Sequence, residues 1–327
     1  MLVLTRNDVR QLVPMPDAIE LMKLAFQELS AGRAESPLRS VVPVADGSVT
    51  LLMPAYVPAA KALGFKVVSV FEGNRDKDLP TISAMVCLLD ESTGAPTAIM
   101  NGAYLTALRT GAVSGAATEL LARDDARNLV VIGAGAQGVT QAAAVAAVRP
   151  IEKITVVDLS EESLERYRRH IAEDWPDLVD RLEVTSDSSV VAQADVICTA
   201  TTSRKPVFSD GDVKPGTHIN AIGAFTPEMQ ELPEETVARA TIVVDQVEAV
   251  LEEAGDFIIP IGKGTLDRNR IQRELGQIVA EEAPGRSTLD EITLFKSVGN
   301  AVQDVTVARR AVERAIETGA GQQVSID

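Results

Sequence analysis

A chain of 327 residues with a formal net charge of −16 repels nucleic-acid phosphates and anionic lipid heads, which sets electrostatically driven binders of either aside. Its 46% hydrophobic and 24% charged residues exclude a disordered chain and suit a folded protein large enough for two domains. No stretch reaches the roughly 18 apolar residues of a membrane span, and residues 1–8 lack the basic-then-apolar order of a secretory signal, so a cytoplasmic protein is expected.

In chain order, apolar spacing predicts a helix over Met15–Ser30, then strands in Leu51–Met53, Gly64–Phe71 and Ile82–Leu89. The run Asp90-Glu91-Ser92-Thr93-Gly94-Ala95-Pro96 has turn chemistry, so Ile82–Leu89 and Thr97–Met100 read as a hairpin. From residue 129 the pattern changes to short β-branched runs alternating with helical spacing, the mark of a parallel sheet with helices on both faces. The strands are expected at Leu129–Ile132, Ile154–Val157, Leu182–Thr185, Asp195–Cys198, His218–Ile222 and Thr241–Val244. Helices are expected at Val139–Val148 and at Glu161–Asp174, the latter capped by Ser160, and over Ser297–Thr318. Cys87 and Cys198 sit in separate apolar runs and read as small buried hydrophobes. With only His170 and His218 beside them, no metal site is expected.

The strand Leu129–Ile132 runs directly into Gly133-Ala134-Gly135-Ala136-Gln137-Gly138 and then into an alanine-rich helix. A lone G-x-G-x-x-G is weak evidence, but after a strand and before a helix it presents free backbone N–H groups and a positive helix end to a pyrophosphate. Gly133 would make the tight turn, Gly135 would let the phosphates approach, and Gly138 would allow close helix–strand packing. Twenty residues on, Asp158 ends the second strand, where a carboxylate can accept from the adenosine ribose hydroxyls. An acid there repels a 2′-phosphate, and residues 158–160 hold no arginine, so NAD is favoured over NADP. The fold class is therefore α/β: a Rossmann doubly wound parallel sheet over 119–299, with a discontinuous α+β domain formed by 1–118 and 300–327.

At this point the chain resembles the ornithine cyclodeaminase/mu-crystallin family over residues 35–310. The resemblance is carried by Leu52-Met53-Pro54, Gly64-Phe65-Lys66-Val67-Val68, Leu79-Pro80-Thr81, Thr106-Ala107-Leu108-Arg109-Thr110-Gly111-Ala112, the glycine loop, and Phe295-Lys296-Ser297-Val298-Gly299-Asn300-Ala301. It implies a homodimer formed through the first domain, and NAD(P)-linked chemistry at the α-carbon of amino acids or their imines. It also implies that Arg39 and Arg109 hold the carboxylate of a small anionic substrate, a task suited to the guanidinium fork. By the same resemblance Met53 and Val298 line the substrate, and Thr81, Ala136, Gln137, Thr201, Ile222 and Ser297 join the glycines and Asp158 around the cofactor. Lys66 is implied as the catalytic group; it lies in an apolar run, where burial lowers an ammonium pKa and fits it for proton transfer. From the residues alone, Arg39 reads equally as a surface arginine and Lys66 as a strand lysine reaching solvent.

Two departures narrow the activity. The segment Ile222-Gly223-Ala224-Phe225 ends, in the family's cyclodeaminases and alanine dehydrogenases, in a proton-handling aspartate, and here it is Phe225. Leu51 stands where the cyclodeaminases carry a glutamate. The pattern instead resembles members that reduce cyclic imines such as pyrroline-2-carboxylate or piperideine-2-carboxylate. An ornithine cyclodeaminase or alanine-type dehydrogenase is the alternative, and a non-catalytic ligand-binding protein is the rival from another class. Glu228 and Glu231 are candidates to replace the missing acid, although solvated loop carboxylates would read the same way.

Overall fold

The computed structural model describes residues 1–44, 47–77 and 79–325. It divides into two units, Met1–Arg109 with Asn300–Asp327, and Thr110–Gly299.

In the first unit, β1 (Leu2–Leu4) leads to α1 (Arg6–Leu12), whose start is fixed by a reciprocal cap between Thr5 and Asp8. Helix α2 spans Met15–Ser30, the range that its apolar spacing predicts, and buries Ala18, Ile19, Met22, Ala25 and Phe26. Strands β2 (Ser40–Pro43), β3 (Val49–Val57), β4 (Ala62–Val70), β5 (Ile82–Leu89) and β6 (Pro96–Asn101) follow, with the expected hairpin joining β5 and β6. Helix α3 (Gly102–Leu121) comes next. After the second unit the chain closes with α10 (Ala301–Thr318) and β14 (Gln322–Gln323). Among the described residues the sheet order is β14-β1-β6-β5-β4-β3-β2.

Helix α10 packs on β3, β4, β5 and α2. The register sets Met53, Lys66 and Val86 side by side, and all three are buried. The alternate residues Leu52, Val67 and Met85, also in register, turn to the opposite face, as strand periodicity requires. Leu52 and Met85 are exposed there, and Val42 beyond them is too, so among the described residues this apolar sheet face is left open.

The second unit holds β7 (Asn128–Ile132), α4 (Ala136–Val148), β8 (Lys153–Val157), α5 (Glu161–Asp174), β9 (Leu182–Thr185), β10 (Val196–Thr199), β11 (His218–Ala221), α6 (Glu234–Arg239), β12 (Thr241–Val244), α7 (Val247–Glu253), α8 (Gly255–Lys263), α9 (Leu275–Val279) and β13 (Thr293–Lys296). All its strand pairs are parallel, in the order β12-β13-β11-β10-β7-β8-β9. The chain order reverses between β7 and β10, and that switch point lies beside the glycine loop that follows β7.

Several element ends move by a few residues, α4 for one beginning at Ala136 and not Val139, and three larger expectations shift. Strand β13 was absent from the six foreseen; it is four residues long and includes a lysine, Lys296, whose Nζ is neutralised by buried Asp256 Oδ2 at 3.0 Å. The last helix begins at Ala301 and not at Ser297, because Asn300 takes the cap position and residues 297–299 are drawn off by another carboxylate. The units divide at 109/110 rather than at 118/119 because α3 runs unbroken through the division. From Thr110 onward its contacts are those of the second unit: Gln141 Nε2 donates to Thr110 O and Asn220 Nδ2 to Thr118 Oγ1.

Candidate functional site

In the first unit, Lys66 Nζ and Asp304 Oδ2 are 2.7 Å apart, and Asp304 Oδ1 accepts from Arg109 Nε at 3.2 Å. Strand β4 supplies the lysine, α3 the arginine and the first turn of α10 the aspartate. Arg109 Nη1 donates to Gln303 Oε1 at 2.7 Å. Lys66 is 1% exposed and Asp304 0%, so the exposed-lysine alternative for Lys66 falls away. Burial pulls the Lys66 ammonium down to about 8; Asp304 works against that, while Arg109 and then Arg39 add to it. Arg39 is thus part of the same field, half-buried just ahead of β2, and Met53 is the cross-strand neighbour of Lys66. Two buried cations share one carboxylate, so the cluster carries a net positive charge that a substrate anion would balance. Thr81 lies apart from these contacts at the start of β5, where its carbonyl accepts from Phe71 N–H at 2.8 Å.

In the second unit, the expected nucleotide residues fall just past the C-terminal ends of parallel strands: the glycine loop after β7, Asp158 after β8, Thr201 after β10, Ile222 after β11, and Ser297 after β13, where Val298, expected at the substrate, follows it. Gly133 has φ 111, and a Cβ on it would stand 2.5 Å from Ala200 O. A Cβ on Gly138 would meet Gly133 O at 2.1 Å, so the helix can pack this closely only on glycine. Gly135 differs, because a Cβ there would meet nothing within 4 Å. It caps α4 with no side-chain hydrogen bond, and Gly135 and Ala136 are exposed, which leaves the helix start open to an anion. Gln137 beside it has a buried Oε1 with no hydrogen-bond partner among the described residues. Asp158 Oδ2 accepts from Ala134 N at 2.8 Å and Oδ1 from Ser160 N at 2.9 Å, tying the acid to the loop.

Buried carboxylates hold the other loops. Asp245 Oδ2 accepts from Ser297 Oγ at 2.7 Å and from Val298 N and Gly299 N, each at 2.9 Å. Glu231 accepts from Thr201 N at 2.6 Å, Thr201 Oγ1 at 2.8 Å, Thr199 Oγ1 at 2.9 Å, Gly223 N at 2.7 Å and Ala224 N at 3.0 Å. The solvated-loop reading of Glu231 is therefore overturned; it is fully buried, and burial with the nearby Asp256 pushes its carboxyl above the usual range. Glu228 is exposed, and Phe225 is 37% exposed in the same loop.

The sequence reading brought forward Lys66 and Arg109 but missed Asp304, Gln303 and Asp245. A signal existed for the first two: an acid and an amide within Ala301–Ala308, a helical stretch that is buried on every side. Among the described residues, no group of three or more His, Cys, Asp or Glu side chains could hold a metal ion. Among the same residues, no helix is long and apolar enough to cross a membrane. Cys87 and Cys198 are buried and free, and burial pushes the Cys198 thiol up to about 12 and pulls the His218 ring down to about 3.

Comparison with known proteins fits this arrangement. The chain is 43% identical to the Delta(1)-pyrroline-2-carboxylate reductase of Bacillus cereus over 99% of each. Among solved structures it is similar to the Thermococcus litoralis Delta(1)-pyrroline-2-carboxylate reductase in complex with NADH and L-proline. That pair shares 41% identity at a TM-score of 0.94, with 99% of this chain and 100% of the other covered. An archaeal alanine dehydrogenase dimer with bound NAD aligns at 33% identity and a TM-score of 0.91, covering 100% of this chain and 99% of that one. The ornithine cyclodeaminase/mu-crystallin family profile matches residues 1–319, and the chain belongs to that family.

Proposed function

We propose that this protein is an NAD(P)H-dependent oxidoreductase that reduces a cyclic imine carboxylate, pyrroline-2-carboxylate first, to the cyclic amino acid. The observation that carries the reading is the buried Lys66–Asp304–Arg109 cluster, whose excess positive charge calls for one small carboxylate. Arg109, its guanidinium braced by Asp304 and Gln303, binds that carboxylate, with Arg39 adding to the field. Lys66, with its pKa at about 8, holds a proton near neutral pH that it can give to a substrate nitrogen. The glycine loop, the open start of α4, Asp158, Thr201, Ile222 and Ser297 hold the dinucleotide. When bound, NADH supplies the hydride for the imine carbon. The unpartnered Gln137 Oε1 and the open space at Gly135 are what such a ligand would fill. Met53, the cross-strand neighbour of Lys66, gives the ring an apolar contact. The uncovered sheet face around Leu52, Val67 and Met85 is assigned to contact with a second copy of the chain, consistent with the dimeric alanine dehydrogenase relative.

The test is to incubate the enzyme with pyrroline-2-carboxylate plus NADH, and separately with ornithine plus NAD, following proline and ammonia. Proline should form rapidly in the first and ammonia negligibly in the second, since no proton-handling aspartate stands at Phe225. Rapid ammonia release from ornithine would overturn the assignment in favour of a cyclodeaminase. For the cofactor, the unmodified enzyme should use NADH with the higher kcat/KM, and Asp158→Ser should erase that preference. Equal or better use of NADPH by the unmodified enzyme would remove Asp158 from the role.

A further inference from the structure

We propose that Asp304 is a positioning residue for the reaction, acting through Lys66 and Arg109 and touching no substrate itself. The proposal rests on the reductase reading and deepens it. Asp304 is fully buried, and its two carboxylate oxygens are divided between two cations from different elements, Lys66 Nζ at 2.7 Å on Oδ2 and Arg109 Nε at 3.2 Å on Oδ1. A single carboxylate thereby fixes the separation of an ammonium and a guanidinium that sequence separates by 43 positions.

The aspartate is in turn held by the helix start. Gln303 Oε1, which receives Arg109 Nη1, also accepts Asn300 N at 2.9 Å as the return half of the α10 capping box. Asn300 Oδ1 accepts Val302 N at 3.0 Å and Ser36 Oγ at 2.6 Å, so the same cap ties down the segment leading to Arg39. Among the described residues, the charged groups that reach Lys66 are Asp304 from α10, Arg109 from α3 and Arg39 from the segment before β2. The flanking strands β3 and β5 place only Met53 and Val86 opposite it. Among the described residues, Asp304 is therefore the anion set against the pull of Arg109 and Arg39, and its charge is what keeps Lys66 protonated at working pH.

The experiment uses the full chain with Asp304→Asn, which keeps shape and removes charge, and Asp304→Glu, which keeps charge and displaces it. Two readouts are taken: the pH profile of kcat/KM for imine reduction, and the titration of Lys66 itself by NMR of [ε-13C]lysine-labelled enzyme, its resonance assigned by its loss in Lys66→Met. Asp304→Asn should move the Lys66 midpoint, and the high-pH limb of kcat/KM with it, about one to three pH units lower. KM for the imine should rise while the NADH Kd holds. Asp304→Glu should return the limb close to its original pH while KM stays raised. A merely structural aspartate would lower the melting temperature and leave both midpoints in place, and that result overturns the proposal. If Asp304→Asn does not fold, an Asp304→Glu enzyme with unaltered KM and kcat overturns it instead. Should the unmodified enzyme fail to reduce the imine, the reductase reading fails, while the NMR titration still decides what Asp304 does to Lys66.

Discussion

Lys66→Met will lower kcat for imine reduction by about 10²- to 10⁴-fold, the usual forfeit for losing a positioned proton donor, and will leave NADH binding nearly unchanged. Methionine nearly matches the buried stem of the lysine, and Asp304 keeps Arg109 as a partner, so the core around β4 should survive. Lys66→Arg should not restore the rate, because a guanidinium stays protonated at any pH the enzyme tolerates. In the unmodified enzyme kcat/KM should fall as pH rises through about 8, since Lys66 is then losing the proton it must give. Steady-state kinetics with both variants, beside thermal unfolding, decides the matter. A kcat within about twofold of the unmodified enzyme would assign the proton to another group.

Glu231→Ala will cost stability first and activity as a consequence. The substitution strips five hydrogen bonds from Thr199, Thr201, Gly223 and Ala224, three of them from backbone N–H groups. A buried donor left without an acceptor costs about 1–3 kcal/mol, so even with water entering the void a loss of at least about 3 kcal/mol is expected. For a unit of this size that corresponds to a melting temperature lower by about 6–12 °C. The contrary result, an unchanged melting temperature with kcat gone, would return Glu231 to the role of substitute acid. The five bonds argue against that role, because they occupy both carboxylate oxygens and a proton could be captured only by displacing or turning one of the donors.

How far the sequence could be read depends on where the information is local. Helix α2, helix α5 with its Ser160 cap, and the glycine loop with Asp158 are each specified within a few residues, and each stands where periodicity and capping placed it. Strand β13 escaped because Lys296 interrupts its apolar run, and the charge is cancelled only by Asp256, 40 residues away. Asp304 escaped for the same reason on a larger scale, its partners lying 195 and 238 positions back along the chain. Glu231 was noticed but misjudged, since nothing local distinguishes a loop glutamate in water from one on which two other loops converge. The division inside α3 left no mark at all, because a continuous helix carries no turn residue where its surroundings change.

The burial of Lys66 and Arg109 inside a chain of net charge −16 also sets the kinetics of encounter. Until it enters the site, an approaching carboxylate or dinucleotide feels the net negative charge of the chain and not the two buried cations, a repulsion that decays over a Debye length of about 8 Å at physiological ionic strength. The long-range field therefore repels the very ligands that the interior attracts. Added salt should speed their association by screening that repulsion, the reverse of the steering seen when an enzyme displays its cations, while contacts made after entry are largely shielded from the ions in solution.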